Sequence, residues 1–298
     1  IPRSPDGHYH MVLEVNGSPG FEAVEQMTPR ARDFERVRAE RLPLICDNQW
    51  VTDVPEDIPV IGFQHGVAAL KAEVTGLRHH RRLAARQARA AARPNTLWVA
   101  GAQWIGRELG ERYGNRADHV VCSPVDVERF DGQLDNEGST LILHDGRAEH
   151  KGRSLWPHVA KAYPGWRFEP LDCPPSEVDD RMRRARAFAH LSLYDGVSYA
   201  CTEAMAMNLP CLLTRVGLML DPDRPRHVHL VEPNDVHGSE DLLVRTMGEF
   251  LDALEYRTYA PRKWVLAPAS PERARKQWRA VMLDFEKLSG WDLGLSGT

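Results

Sequence analysis

No apolar run in this 298-residue chain approaches the roughly 20 residues that a bilayer-spanning helix needs. No secretory signal is visible at its front end. Cysteine is scarce: Cys46, Cys122, Cys173, Cys201 and Cys211 are odd in number and have no C-x-x-C spacing. That pattern predicts buried free thiols in a reducing cytoplasm, with neither disulfides nor a zinc site. The chain also lacks a G-x-x-x-x-G-K-[ST] loop and a clean G-x-G-x-x-G after a first strand, which argues against a P-loop ATPase and an NAD enzyme. Positive charge is not in excess: the formal net charge is −4, so a polycation seeking nucleic acid is excluded. No solenoid-type period is seen.

What is present is a rhythm of short apolar strands and helices, over a length that holds two domains. In the first half, strands are expected at 11–15, 42–46, 58–63 and 97–100, and 119–122 leads into the segment 124–130. Helices are expected at 29–41, 69–92 and 104–113. In the second half, strands at 140–144, 167–171, 187–193, 211–214 and 227–231 alternate with helices more regularly. Such alternation predicts parallel sheets of the α/β class. The polar, Gly-containing stretch 131–139 is the candidate linker.

Residues 187–217 carry the most information. An apolar strand stops at an Asp195-Gly196 turn, and a helix opens near Ser198. That helix carries Glu203 and ends at Asn208-Leu209-Pro210, before a second apolar strand. A helix N-terminus after a strand offers unpaired N–H groups and a positive dipole end, which suits a phosphate. Asp195 and Glu203, with seven residues between them, add acceptors for sugar and ribose hydroxyls, so the segment reads as a nucleotide-sugar pocket. The run Asp145-Gly146-Arg147-Ala148-Glu149-His150-Lys151-Gly152 likewise follows a strand and precedes a helix. In an open α/β sheet ligands gather at the carboxyl ends of strands, so Arg147 and Lys151 stand where they can grip a diphosphate. The plainer reading of that loop is two solvated basic residues. Its pairing with the downstream carboxylates favours function.

The segment from Asp195-Gly196-Val197-Ser198-Tyr199 to Glu203-Ala204-Met205-Ala206 resembles the E-x7-E signature of retaining glycosyltransferases of the GT-B fold, especially glycosyltransferase family 4. Asp195 replaces the first Glu, Ser198 stands where a second Gly is common, and Asn208 replaces the helix-ending Gly. Arg147, Lys151 and Gly152 resemble the family's G-R-x(n)-K-G segment with a shortened spacer. Phe63-Gln64-His65-Gly66 resembles its His-Gly, which faces the donor sugar across the inter-domain cleft. Ser123-Pro124-Val125-Asp126 with Phe130 resembles an architectural turn and apolar anchor that closes the first domain. The likeness runs from about 58 to 235, and the front end is short against the family pattern.

The resemblance implies an α/β GT-B protein of two Rossmann-like domains. The expected boundaries are 1–132 for the acceptor side, 133–270 for the nucleotide sugar, and 271–298 for a helix returning to the first domain. His65, Arg147, Lys151 and Asp195 are the implied catalytic residues. Gly146, Gly196, Val197, Ser198, Tyr199 and Glu203 are the implied donor-binding residues. Retaining transfer without metal or other cofactor is implied, from a nucleoside-diphosphate sugar to a hydroxyl on a glycan, a lipid-linked carrier or a small molecule. The alternatives are a degenerate, non-catalytic nucleotide-sugar binder and, ranked lower, a sugar-nucleotide epimerase.

The basic helix with Arg78, His79, His80, Arg81, Arg82, Arg86, Arg89 and Arg93 reads first as a solvated face. The sharper reading is a contact with an anionic acceptor or with anionic lipid headgroups, at the inner face of a membrane. Nucleic acid is not an expected partner.

Overall fold

The computed structural model describes residues 31–225, 227–293 and 295. The strand expected at 11–15 and the turn after it lie outside the described residues. The chain divides into two compact units, Ile1–Cys122 with Pro271–Thr298, and Ser123–Ser270.

The first unit runs α1 (Ala31–Glu40), β1 (Ile45–Asp47), β2 (Val60–Gln64), α2 (Ala68–Thr75), α3 (Arg78–Ala91), β3 (Thr96–Ala100), α4 (Gln103–Tyr113) and β4 (His119–Val120). Its four strands are parallel in the order β1-β2-β3-β4, with Ile45 opposite Ile61, Val60 opposite Thr96 and Val99 opposite His119. Every residue of β2 is buried, as expected for a central parallel strand covered on both faces. One helix was expected over 69–92, and two are found. Gly76 adopts the left-handed conformation (φ +65°), and its N–H closes on Ala72 O at 2.9 Å. That glycine cap ends α2 and lets α3 start in a new direction.

The second unit continues with β5 (Leu141–His144), α5 (Trp156–Ala162), β6 (Arg167–Pro170), α6 (Val178–Arg183), β7 (Ala187–His190), α7 (Tyr199–Ala206), β8 (Cys211–Thr214), β9 (His229–Val231), α8 (Pro233–His237), α9 (Glu240–Tyr256) and α10 (Arg262–Val265). Its five strands are parallel in the order β6-β5-β7-β8-β9. β5 therefore has its successor on one side and β7 on the other, so the winding reverses between β5 and β7. In doubly wound sheets the crevice outside the strand ends at such a reversal is where ligands bind. α5 and α9 cover one face, with Ile142, Ala189, Leu212, Met247 and Phe250 in one buried cluster.

The division between units falls at Cys122–Ser123, and residues 131–139 lie inside the second unit. The segment expected to close the first domain opens the second. Val125 and Phe130 are buried, and Val125 N–H donates to Ala269 O at 3.0 Å. The last helix, α11 (Pro271–Ser289), belongs to the first unit. Its Trp278, Val281 and Phe285 share a buried cluster with Ile61, Phe63 and Val99, and Trp278 stacks on Phe63 with 5.7 Å between ring centroids. All five cysteines are free thiols. Cys201 and Cys211 are buried, whereas Cys46, Cys122 and Cys173 are only half-buried.

Candidate functional site

The carboxyl ends of β5 and β7 bring four charged side chains together. Asp145 follows β5 directly, and His190 is the last residue of β7. Lys151 closes a single 3-10 turn, Glu149–Lys151, and the next residue, Gly152, is left-handed at φ +80°. A Cβ on Gly152 would lie 2.6 Å from Leu191 O, so only glycine fits where this turn lies against the end of β7. β7 stops at His190 rather than at 193 because the chain is diverted there. Leu193 N–H donates to His150 O at 2.8 Å, and Ser192 Oγ donates to His150 O at 3.0 Å. These bonds tie the two loops together and bring Lys151 beside Asp195.

Lys151 Nζ lies 2.6 Å from Asp145 Oδ2 and 3.4 Å from Asp195 Oδ2. His190 faces the same two oxygens, with Nδ1 3.5 Å from Asp145 Oδ2 and Nε2 3.2 Å from Asp195 Oδ2. Asp195 Oδ1 accepts from Gly196 N–H at 2.8 Å. Burial pushes the Asp195 carboxyl up, but the His190 imidazole and the Lys151 ammonium more than offset it and hold its pKa below the usual range. Asp145 is held down by the same two partners against the same penalty. Burial likewise works against charge on Lys151 and His190, yet both pKa values are raised, chiefly by Asp195 and Asp145 for the lysine. The cluster is two anions and two cations. Asp145, His190 and Asp195 offer ligand-type atoms within 4.8 Å of one another, and the Lys151 ammonium stands against both carboxylates. The four side chains form a salt-bridge ring.

Gly146 and Arg147 stand at the same strand end. Gly146 N–H donates to His144 Nδ1 at 3.1 Å, and the His144 ring lies flat on Trp156, with centroids 3.9 Å apart and planes 9° apart. Burial lowers the His144 pKa to about 4, so its Nδ1 is free to accept. The Arg147 side chain is 55 % exposed, 3.6 Å from Asp145 and 4.0 Å from Asp172. It is the solvent-facing basic arm of the site, where Lys151 is the anchored one.

α7 starts where the sequence places it. Ser198 is its N-cap, with Oγ accepting from Cys201 N–H at 3.4 Å. The start of α7 presents the positive end of the helix dipole, a geometry that suits an anion. Val197 and Ser198 are buried, and Tyr199 is 44 % exposed with its hydroxyl 3.1 Å from Ser123 Oγ. Glu203 lies one turn further. Burial raises its pKa to about 7, with Asp145 and Asp179 adding to the rise and Arg129 opposing it. Asn208 closes the helix in the left-handed conformation at φ +60°, as a Gly would.

His65 is in the first unit, just after β2. Its Nε2 lies 3.3 Å from Asp47 Oδ1, and Phe63 meets its ring edge-on with centroids 4.5 Å apart. Burial lowers its pKa to about 4, so the imidazole is neutral. Gln87 of α3 fixes this loop: its amide donates to Gln64 Oε1 at 2.7 Å and to Gly66 O at 2.8 Å. The opposite face of α3 is exposed. Among the described residues Arg78, Arg81, Arg82 and Arg89 make no ion pair, whereas Arg86 is bound to Asp53 at 2.7 Å. Val74 and Leu77, at the α2–α3 corner, are 39 % and 47 % exposed. No helix among the described residues is long and apolar enough to cross a membrane.

Sequence reasoning brought Arg147, Lys151, Asp195, Glu203 and the Ser198 cap to one end of one sheet. It missed Asp145 and His190. Their only signal was position, since each is a charged or titratable residue at the end of an apolar strand.

No protein-family model matches the chain, and no curated protein matches it in sequence. Solved structures do. Sucrose-phosphate synthase from Thermosynechococcus elongatus superposes with a TM-score of 0.68 at 11% identity, over 86% of this chain and 78% of that one. HepE from Anabaena, solved with UDP and glucose, gives 0.66 at 12% identity, over 85% of this chain and 80% of that one. WaaG, a glycosyltransferase involved in lipopolysaccharide biosynthesis, gives 0.55 at 14% identity, over 86% of this chain and 80% of that one. With two parallel-sheet α/β units and these neighbours, the chain has the GT-B fold of glycosyltransferases.

Proposed function

We propose that this chain is a retaining glycosyltransferase, akin to family 4, that moves a sugar from a nucleoside-diphosphate sugar to an acceptor hydroxyl. One observation carries the reading. The basic segment after β5 and the carboxylate segment after β7 meet at the sheet's reversal point, where Lys151 Nζ is 2.6 Å from Asp145 and 3.4 Å from Asp195, next to the open N-terminus of α7. Cations and aligned amides there suit a pyrophosphate. HepE binds UDP and UDP-glucose, which supports a nucleotide-sugar donor for this chain.

In this scheme the bond from the anomeric carbon to the diphosphate oxygen breaks, and the acceptor hydroxyl attacks from the same face. A phosphate oxygen takes the acceptor proton, so the products are the glycoside and the protonated nucleoside diphosphate. Arg147, Lys151 and the helix N-terminus near Val197 to Tyr199 stabilise the departing charge, while Gly146 and Gly196 shape the two turns that approach the donor. Asp195 holds sugar hydroxyls and Glu203 holds the ribose. His65, neutral and braced by Asp47, hydrogen-bonds donor or acceptor. The cation work is done by side chains and no metal is required. The exposed arginines of α3 meet anionic headgroups at the inner face of a membrane that carries the acceptor. No nucleic acid takes part.

Donor turnover with mixed acceptors tests the reading. Lys151→Ala and Arg147→Ala should each lower nucleoside diphosphate release on the order of 10²-fold with the fold intact, and a chelator should leave the wild-type rate unchanged. Normal rates in both variants would remove these residues from the mechanism. Donor binding without release in the wild type would make the chain a non-catalytic nucleotide-sugar binder.

A further inference from the structure

The ring formed by Asp145, Lys151, His190 and Asp195 contains more charge than a diphosphate site needs. Oδ2 of each aspartate faces both cations: Lys151 at 2.6 and 3.4 Å, His190 at 3.5 and 3.2 Å. The two cations are not equivalent. The His190 side chain is 4 % exposed, whereas that of Lys151 is 25 % exposed on a flexible four-carbon stem. Lys151 can leave the ring for a ligand and His190 cannot. Two buried carboxylates left without a cation would be strongly destabilised.

We propose that Lys151 is a releasable cation, parked on Asp145 and Asp195 in the empty site and transferred to the diphosphate of an incoming nucleotide, and that His190 is the positioning residue that stays behind to neutralise the two acids. This rests on the functional reading for where the diphosphate goes. The groups facing His190 are Asp145 from the end of β5, Asp195 from the loop after β7, Lys151 from the 3-10 turn and the Cys201 thiol from α7. Arg147 adds a second cation 3.6 Å from the other oxygen of Asp145. Burial opposes the imidazolium, but the thiol and both carboxylates favour it and raise the pKa of the ring above its ordinary value. With His190 uncharged, Lys151 is the one cation left between the two acids, with Arg147 only on the far oxygen of Asp145, so they hold the lysine harder and it competes less well for phosphate. With Asp145 also neutralised, that hold is relaxed.

The test is calorimetric titration of UDP, GDP and ADP into the wild type, His190→Gln and the double variant Asp145→Asn/His190→Gln at neutral pH. For the nucleotide that binds, His190→Gln should weaken affinity about tenfold, the equivalent of one pKa unit of coupling. The double variant should regain it. A packing role for His190 predicts the reverse, a double variant weaker than His190→Gln. Affinity unchanged in His190→Gln, or no recovery in the double variant, overturns the proposal. Wild-type protein that binds none of the three overturns the functional reading, and the destination of Lys151 with it. Ring NMR of the ligand-free wild type covers the case of misfolded variants: His190 should carry both ring protons at neutral pH, and a neutral ring overturns the proposal whatever the nucleotides do.

Discussion

At the residue level the site separates two acids held charged from one that burial pushes up to about 7. Asp145 and Asp195 stay ionised despite burial because two cations face each of them. Among the described residues Glu203 has no such partner at ion-pair distance, and burial lifts its pKa to about 7. A carboxyl raised above its ordinary value favours the protonated folded state. Its contribution to stability is therefore full below the unfolded value and is lost as pH rises through 7. Glu203→Gln should melt higher than the wild type at about pH 8, with the difference vanishing near pH 5. Thermal unfolding across that range checks this, and equal melting at both pH values would show that Glu203 is solvated. Asp195 and Glu203 were legible from their spacing alone. The divergence of their ionisation was not, because it depends on side chains that arrive from elsewhere in the chain.

Among the elements, the turn after β5 depends most on glycine. A Cβ on Gly146 would run into Nε1 of Trp156 and lie 2.9 Å from His144 Nδ1. Gly146→Ala must push the indole off the His144 ring, or bend the loop that carries Arg147. It should destabilise the second unit by about 1–3 kcal/mol, as overpacking does, and should weaken nucleotide binding as well. Chemical denaturation and calorimetry read the two effects separately. The boundaries of α7 were readable because both caps are local: Ser198 bonds three residues ahead, and Asn208 takes the left-handed turn by itself. The α2–α3 break was equally local, at Gly76, yet the Ala/Arg composition on both sides masked it.

For the whole molecule, the last helix matters to the first unit as much as that unit's own strands do. Trp278 is almost fully buried against Ile61, Phe63 and Val99. Trp278→Ala should destabilise the first unit by about 3–5 kcal/mol, the usual cost of emptying a large aromatic site. Hydrogen exchange should then find β2 and β3 less protected. The surface of that unit carries the other prediction at this scale. Among the described residues Arg78, Arg81, Arg82 and Arg89 have no acidic partner, and exposed Val74 and Leu77 lie at the N-terminal end of the same helix. Sedimentation with anionic vesicles should carry the wild type down at low salt. Changing the four arginines to Gln should abolish it, because each arginine near an anionic surface is worth roughly 1 kcal/mol of binding. Wild-type protein that stays in the supernatant ends the membrane reading.

What the sequence by itself determined was local: short apolar strands, helix caps, the acids seven residues apart, and the basic pair after a strand. Each follows from neighbours within a turn or two, through hydrogen bonds and side-chain periodicity. The tertiary structure alone decided the strand order β6-β5-β7-β8-β9, which sets the two loops side by side at the reversal point. It alone assembled Lys151, Asp195, Asp145 and His190 into one charge-balanced ring. Strand order is fixed by how helices cover a twisted sheet, and ion pairs by which strand ends then meet. Neither leaves a mark in the spacing of residues along the chain.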